Sequence, residues 1–364
     1  VIFYEILTLS TYPLVAHRGT PEAERGARIY LAYTLVGGVL LLIGAVWLRT
    51  IAGPLDFAEG GILSEIPGLD PSSLGWIFLL LIAGLGVKAS LFPLHGWLPQ
   101  SMVAPAPVSA LLHAVAVVKA GAFGIVRVVY DVYGVEFAAS LDLLAPLGVV
   151  AAVTIIYGSA RALSQDYLKK RLAWSTVSQV SYIALGATIL GPLATIGGMV
   201  HLVHQGLMKI TLFFAAGNYA ETLGIHRVSD MNGVGSRMPG TTLAFTVGAL
   251  GMIGIPPVAG FVTKWYLGLG AMEAGLAAWV LPVLVASSLL NAAYFLPILY
   301  RAWFRPPPST WPENRFRQSR GETRAALLWP PLITAGLAVA AGLFASAPYS
   351  PLEWAQLIAY REYR

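Results

Sequence analysis

The chain has no cysteine among its 364 residues, which rules out a disulfide framework and a cysteine-ligated iron–sulfur cluster. Charge is nearly as scarce: Asp, Glu, Lys and Arg make up 11% of the chain, where soluble domains carry about a quarter. No G-x-x-x-x-G-K-[ST] loop occurs and no G-x-G-x-x-G follows a strand pattern, so nucleotide binding has no support. Away from their edges the apolar segments hold one carboxylate, Glu5, far short of the several hard oxygens that would dehydrate and hold sodium. Histidine pairs lack a neighbouring cysteine or carboxylate, so no zinc site is expected. The residues ask for no cofactor and no metal.

Apolar residues take the place of charge. They are 57% of the chain, with a mean hydropathy of +0.70, which puts it in the multi-pass membrane class. Ten segments approach the roughly 20 apolar residues a bilayer crossing needs: 1–16, 29–48, 74–98, 106–130, 141–161, 172–190, 194–217, 241–270, 277–300 and 325–346. The first is cut short behind Val1, so the expectation is the C-terminal portion of a longer protein rather than a signal peptide with a mature domain.

Alternating the loops sorts the charges sharply. Loops 17–28, 99–105, 161–171, 218–240 and 301–325 hold 15 Lys and Arg. Loops 49–73, 131–140, 191–193, 271–276 and the tail after 346 hold three, Arg49, Arg361 and Arg364. The positive-inside rule makes the first set cytoplasmic, and places Asp56, Glu59, Glu65 and Asp70 outside. The pI near 9.3 therefore reflects membrane topology, and no nucleic-acid partner is expected.

Two spans are interrupted by proline, which removes a backbone donor and clashes with the preceding turn. Pro93 and Pro99 bracket LFPLHGWLP in the third, and Pro256-Pro257 split GIPPVAGF in the eighth. They run in opposite directions, and paired broken helices at corresponding places of inverted halves point to a transport site. Lys88 lies five residues before Pro93, and Lys264 lies seven after Pro257.

Four of the six lysines, Lys88, Lys119, Lys209 and Lys264, fall inside apolar segments, whereas all 17 arginines lie outside them or at their edges. A central lysine costs about 2.5–3.5 kcal/mol on the insertion scale. Four would cost on the order of 10–14 kcal/mol, comparable with the net stability of a whole protein. Snorkelling to the headgroups is open to any one of them, least to Lys119. Glu5 can neutralise one at most. Lysine, unlike arginine, can shed its proton when buried, so the set suggests proton handling. His201, Gln205 and Lys209 form a helical stripe at i, i+4 and i+8, with His204 beside it. His95 and His113 are isolated candidates, balanced between packing and relay; His17 and His226 read as solvated loop residues.

The run KASLFPLHGWLPQSMVAPAPVSALLHAVAVVKAG, from Lys88 to Gly121, resembles the signature of proton-translocating antiporter-like subunits. These are the large membrane subunits shared by respiratory complex I, Mrp-type cation/proton antiporters and membrane-bound hydrogenases. LKKRLAWSTVSQVSYIALG, HLVHQGLMKITLFFAAG and GIPPVAGFVTKWYL match further family blocks in the same order. The resemblance implies an all-α polytopic fold, here about ten helices of a fourteen-helix bundle with two broken helices and two inverted repeats. On that basis 1–130 ends the first repeat, 131–300 is the second, and 301–364 holds a cytoplasmic loop, the last span and a short tail.

The resemblance also implies a relay of Glu5, Lys88, Lys119, His201, Lys209 and Lys264, with Lys88 paired to Glu5. His204, Gln205, His95 and His113 are further candidates. Gln205 stands where many members carry a second histidine, which leaves open whether His204 replaces it, and Gln100 stands where an Asp often follows LP. Lys264 departs from the Glu usual in the middle complex I subunit, and the short tail leaves no room for the lateral helix of the distal one. STYPLVAHRGTPEA and SALLHAVAVVKAG look most similar to the Mrp D-type subunit or its hydrogenase relatives.

The expectation is a multi-pass subunit of the cell (inner) membrane that moves protons, without a redox centre of its own. Its partners would be other membrane subunits, lipid and protons, with sodium reached through the complex. Mrp-type antiport is the first reading, and a proton-pumping subunit of an NADH:quinone oxidoreductase or membrane-bound hydrogenase is the alternative. A scaffold that has lost transport and a quinone-binding redox subunit are the rivals from other classes.

Overall fold

The computed structural model describes residues 1–313 and 321–363, and they are helical apart from their connections. In chain order the helices are α1 (Ile2–Ala16), α2 (Pro21–Ala52), α3 (Pro71–Ala89), α4 (Ala106–Tyr133), α5 (Leu144–Leu163) and α6 (Leu168–Thr188). They continue as α7 (Pro192–Leu223), α8 (Pro239–Ile253), α9 (Ala259–Glu273), α10 (Ala277–Phe304), α11 (Ala325–Leu343) and α12 (Pro351–Glu362).

Seven of them, α2, α3, α4, α5, α7, α10 and α11, are long and apolar enough to cross a membrane. The other expected spans fall short for identifiable reasons. The helix α1 has 15 residues, and α8 and α9 are the 15-residue halves of the interrupted eighth segment. The helix α6 has the length but carries Ser175, Thr176, Ser178, Gln179 and Ser181. Every α6 residue except Lys170 is buried, so this helix never meets lipid and its exterior need not be apolar. It packs against α5, α7 and α4, while α7 packs against α8, α9, α11 and α12. Leu35, Val39, Leu42 and Val46 of α2, and Ile333 and Leu337 of α11, are exposed and form the lipid-facing surface that a membrane bundle requires.

The loops sort onto two faces as the charge pattern demanded. On one, Val228 N–H donates to the Asp166 carbonyl, Gly233 N–H to Arg301, and Glu313 N–H to Leu223. On the other, Ala58 N–H donates to Asp131, Gly60 N–H to the Glu362 carboxylate, Gly191 N–H to the Tyr363 hydroxyl, and Arg361 pairs with Glu59. Of the six arginines in the 301–325 loop, Arg315, Arg317 and Arg320 lie outside the described residues, as does Arg364 of the tail. The tail itself forms α12, whose Leu352, Ala355 and Ala359 pack on Ile196 and Val200 of α7.

Both interruptions are present. The helix α3 stops at Ala89, Ser90 takes a left-handed conformation (φ 58°), and helix resumes at Trp97. The Trp97 indole N–H donates to the Val87 carbonyl at 2.7 Å, satisfying an acceptor that the break exposes. The helix α8 ends at Ile253 on Gly254, whose φ of 95° favours glycine. A Cβ at Gly254 would also come within 2.8 Å of the Lys264 side chain, which would have to shift to admit it.

Candidate functional site

The buried lysines are each held by neutral oxygens. Lys88 occupies the last turn of α3 and is fully buried. Its Nζ donates to the Tyr4 carbonyl and lies 3.3 Å from the centroid of the Tyr4 ring. Glu5, one residue on, turns toward Gly38 of α2, and neither carboxylate oxygen has a hydrogen-bond partner among the described residues. The expected Lys88–Glu5 pair is therefore a neighbourhood rather than a salt bridge, because the Tyr4 carbonyl and ring occupy the ammonium. Lys119, on α4, points to the His201 carbonyl at 3.5 Å.

In the middle, His204 and Gln205 face different neighbours. His201 and His204 both place Nδ1 on the Thr263 hydroxyl, at 3.2 and 3.3 Å, beside Lys264 in sequence. Gln205 turns the other way, donating at 3.4 Å to the carbonyl of His113. The i+3 histidine thus joins His201 on a common hydroxyl, and the i+4 glutamine faces α4. The Nε2 atoms of both histidines, both ring nitrogens of His113 and Oε1 of Gln205 are buried without a hydrogen-bond partner among the described residues.

His113 lies in a π-turn, Leu111–Val115, that inserts one residue between the start of α4 and Lys119. Its ring packs 4.8 Å from Phe213. His95 is enclosed by Phe92, Tyr157 and Trp174 at 5.2–5.6 Å, a packing environment within the first break. His17 and His226 are exposed, as loop residues should be. Partial desolvation of the ring and the nearby Lys169 and Arg18 hold the His226 imidazole below its usual range.

Lys209 donates to the Leu172 carbonyl (3.1 Å) and the Ser175 hydroxyl (2.6 Å), both on α6. Lys264, on α9, reaches back across the second break to the carbonyls of Met252 (3.4 Å) and Ile253 (2.6 Å) and to Ser288 Oγ (2.7 Å). Those carbonyls are the partly negative C-terminal end of α8, a site that favours a cation. The two breaks are not used alike: Lys88 precedes its break, whereas Lys264 follows its own and fills it.

Sequence reasoning missed the neutral partners Thr263, Ser175 and Ser288, and with them Tyr294 and Asn291, which hydrogen-bond to each other beside Ser175. Asn291 in the apolar run SSLLNAAYF was a legible signal, since an amide in a span demands a partner. It also missed Lys169, assigned to a loop but 8% exposed, with Nζ 2.5 Å from the Ala104 carbonyl. No cluster of three or more His, Cys, Asp or Glu side chains able to hold a metal occurs among the described residues.

Residues 1–290 match the family described as NADH:quinone oxidoreductase/Mrp antiporter, TM. The chain belongs to this family. Among its members, NADH-quinone oxidoreductase subunit N of Desulforudis audaxviator (strain MP104C) is 39% identical over 94% of the chain and 69% of its own length. The D-type subunit of the Na(+)/H(+) antiporter of Bacillus subtilis (strain 168) is 28% identical, covering 94% and 67%. Hydrogenase-4 component B of Escherichia coli (strain K12) is 34% identical over 73% of the chain, which spans only 40% of that relative. In fold, a chain of the Mrp complex from Dietzia sp. DQ12-45-1b superposes with a TM-score of 0.85 at 25% identity, covering all of this chain and 73% of that one. A chain of the archaeal membrane-bound sulfane sulfur reductase gives 0.85 at 27% identity, covering 100% and 71%. The protein is thus a multi-pass membrane subunit of the antiporter and complex I family. Of these two relatives, subunit N has the higher identity and the Mrp D-type subunit is matched over the same share of the chain.

Proposed function

We propose that the chain conducts protons across the membrane as one subunit of a hetero-oligomeric complex, through Glu5, Lys88, Lys119, His201, Lys209 and Lys264. His204 and Gln205 act beside His201, which shares Thr263 with His204. The observation that carries this reading is the set of four intramembrane lysines bound to carbonyl and hydroxyl oxygens, with no ion pair to any of them among the described residues. A cation held only by dipoles in a low-dielectric interior can load and release a proton at modest cost, whereas a salt-bridged one is locked charged. A scaffold gains nothing from such groups, and leucine in their place would be more stable.

The complex we favour is of the NADH:quinone oxidoreductase type, supported by 39% identity over 94% of the chain to a subunit N. Redox chemistry would then reside in partner subunits and drive the charge shifts. Mrp-type cation/proton antiport is the second reading, favoured by the fold match to an Mrp complex. In either case the broken helices α3 and α8–α9 would belong to two inverted halves. Copurifying redox subunits support the first complex, and small membrane subunits alone support the second.

Lys119→Ala in the intact complex tests the conduction itself. Proton uptake by reconstituted vesicles should fall at least about tenfold with assembly unchanged, since about 1.4 kcal/mol of added barrier is a factor of ten. Full uptake in that variant would refute the relay.

A further inference from the structure

Ser175, Tyr294 and Asn291 lie on two different helices, α6 and α10, and all three are fully buried. They form one unbroken line of hydrogen bonds between the lysines of α7 and α9. Lys209 Nζ meets Ser175 Oγ at 2.6 Å, and Tyr294 Oη lies 2.9 Å from Ser175 Oγ and 2.7 Å from Asn291 Oδ1. Asn291 Nδ2 donates to the Met252 carbonyl at 2.9 Å, the same carbonyl that Lys264 Nζ approaches at 3.4 Å. No histidine takes part.

The direction of this line follows from the donor inventory. Asn291 spends an N–H on Met252, so its Oδ1 faces Tyr294 and can only accept. Tyr294 has a single proton and gives it to Oδ1. Ser175 Oγ is the second acceptor in reach of that one proton, and it also accepts from the Lys209 ammonium, so Lys209 biases which acceptor Tyr294 serves. While a charged Lys209 occupies Ser175 Oγ, the Tyr294 proton goes to Asn291.

We propose that Ser175, Tyr294 and Asn291 are positioning residues that form a dipole switch reporting the charge of Lys209 to the Lys264 pocket. This rests on the proton-conduction reading above. When Lys209 gives up its proton, its neutral amine accepts from Ser175, and Ser175 accepts from Tyr294. Both hydroxyls rotate, no covalent bond forms or breaks, and Asn291 Oδ1 loses its Tyr294 donor and keeps the longer bond from the Ser159 hydroxyl at 3.4 Å. Hydrogen bonds in series polarise one another, so this loss also weakens the Asn291 bond to Met252. The Met252 carbonyl is thereby released to Lys264. A charged Lys209 does the opposite and withholds that carbonyl. The two lysines are thus linked so that charge on one disfavours charge on the other. Around the switch, Arg171 is a fixed cation on the Tyr294 carbonyl at 3.0 Å, the His113 imidazole is within electrostatic reach of Lys209, His201 and Tyr182 are near Lys264, and no carboxylate touches it among the described residues.

The test uses the intact complex in vesicles, with Tyr294→Phe and with Ser175→Ala as a second variant should the first fail to assemble. Proton flux should fall about tenfold in either, the scale of one coupled pair in a buried network. In pH-jump infrared difference spectra, the tyrosine C–O band should shift between its hydrogen-bonding states in the wild type. That shift should be missing from both Tyr294→Phe and Lys209→Gln. A merely structural tyrosine would give no pH-driven band dependent on Lys209. Full flux in Tyr294→Phe and Ser175→Ala, or a band that persists in Lys209→Gln, overturns the switch. The Lys119→Ala control separates the outcomes: flux surviving there refutes conduction itself, whereas loss there with full flux in Tyr294→Phe refutes the switch alone.

Discussion

Gly38 shows how one missing methyl group positions a charge. A Cβ at that place on α2 would collide with the Glu5 carboxylate, which lies against the helix where glycine leaves a notch. Gly38→Val should therefore displace Glu5 from the neighbourhood of Lys88. Proton uptake by vesicles holding the complex should drop about tenfold if the relay starts there, the effect of about 1.4 kcal/mol. Unchanged uptake would remove Glu5 from the relay. Glu5 and the four lysines were legible as single residues because a charge in an apolar run violates the local pattern. Their partners were not. Serines, threonines and carbonyls are common in any helix, and nothing local says which hydroxyl will meet which ammonium.

At the level of elements, proline marked both breaks and chemistry finished them differently. The first is closed by Trp97 on the Val87 carbonyl, the second by Lys264 on the Met252 and Ile253 carbonyls. Trp97→Phe keeps an aromatic ring and removes the N–H, leaving Val87 with the Ser90 amide at 3.1 Å as its remaining donor. The expected cost is about 1 kcal/mol, read as a lower thermal midpoint of the purified complex. An unchanged midpoint would mean that the indole bond contributes nothing to the break. The expectation of ten spans was met by seven helices that satisfy length and hydropathy together. The polar helix α6 explains part of the difference: a helix sheathed by α4, α5 and α7 answers to its neighbours and not to lipid.

Across the whole molecule, the loop contacts separate two faces, and the basic loops share one of them. The absence of cysteine makes this directly measurable. Ser164→Cys and Ser140→Cys lie at exposed positions on opposite faces. A membrane-impermeant maleimide should add mass to this subunit through Cys at 164 only from the cytoplasmic side, and at 140 only from the other. Labelling of both from one side would overturn the topology. The tail helix α12 belongs to this scale too. It joins the outer loops through Arg361–Glu59 and Tyr363, contacts between residues some 170 to 300 positions apart that no local pattern encodes.

By itself the sequence determined the membrane class, the alternation of loops, the places of the two breaks and the identity of the buried cations. Each follows from transfer free energy or backbone geometry, which act within a segment. Only the tertiary structure decided that Lys88 rests on Tyr4 instead of Glu5, that His204 rather than Gln205 joins His201, and that Lys209 and Lys264 are connected through α6 and α10. Those outcomes depend on which oxygen wins a donor in a crowded interior. That competition is settled by the packing of helices far apart in the chain.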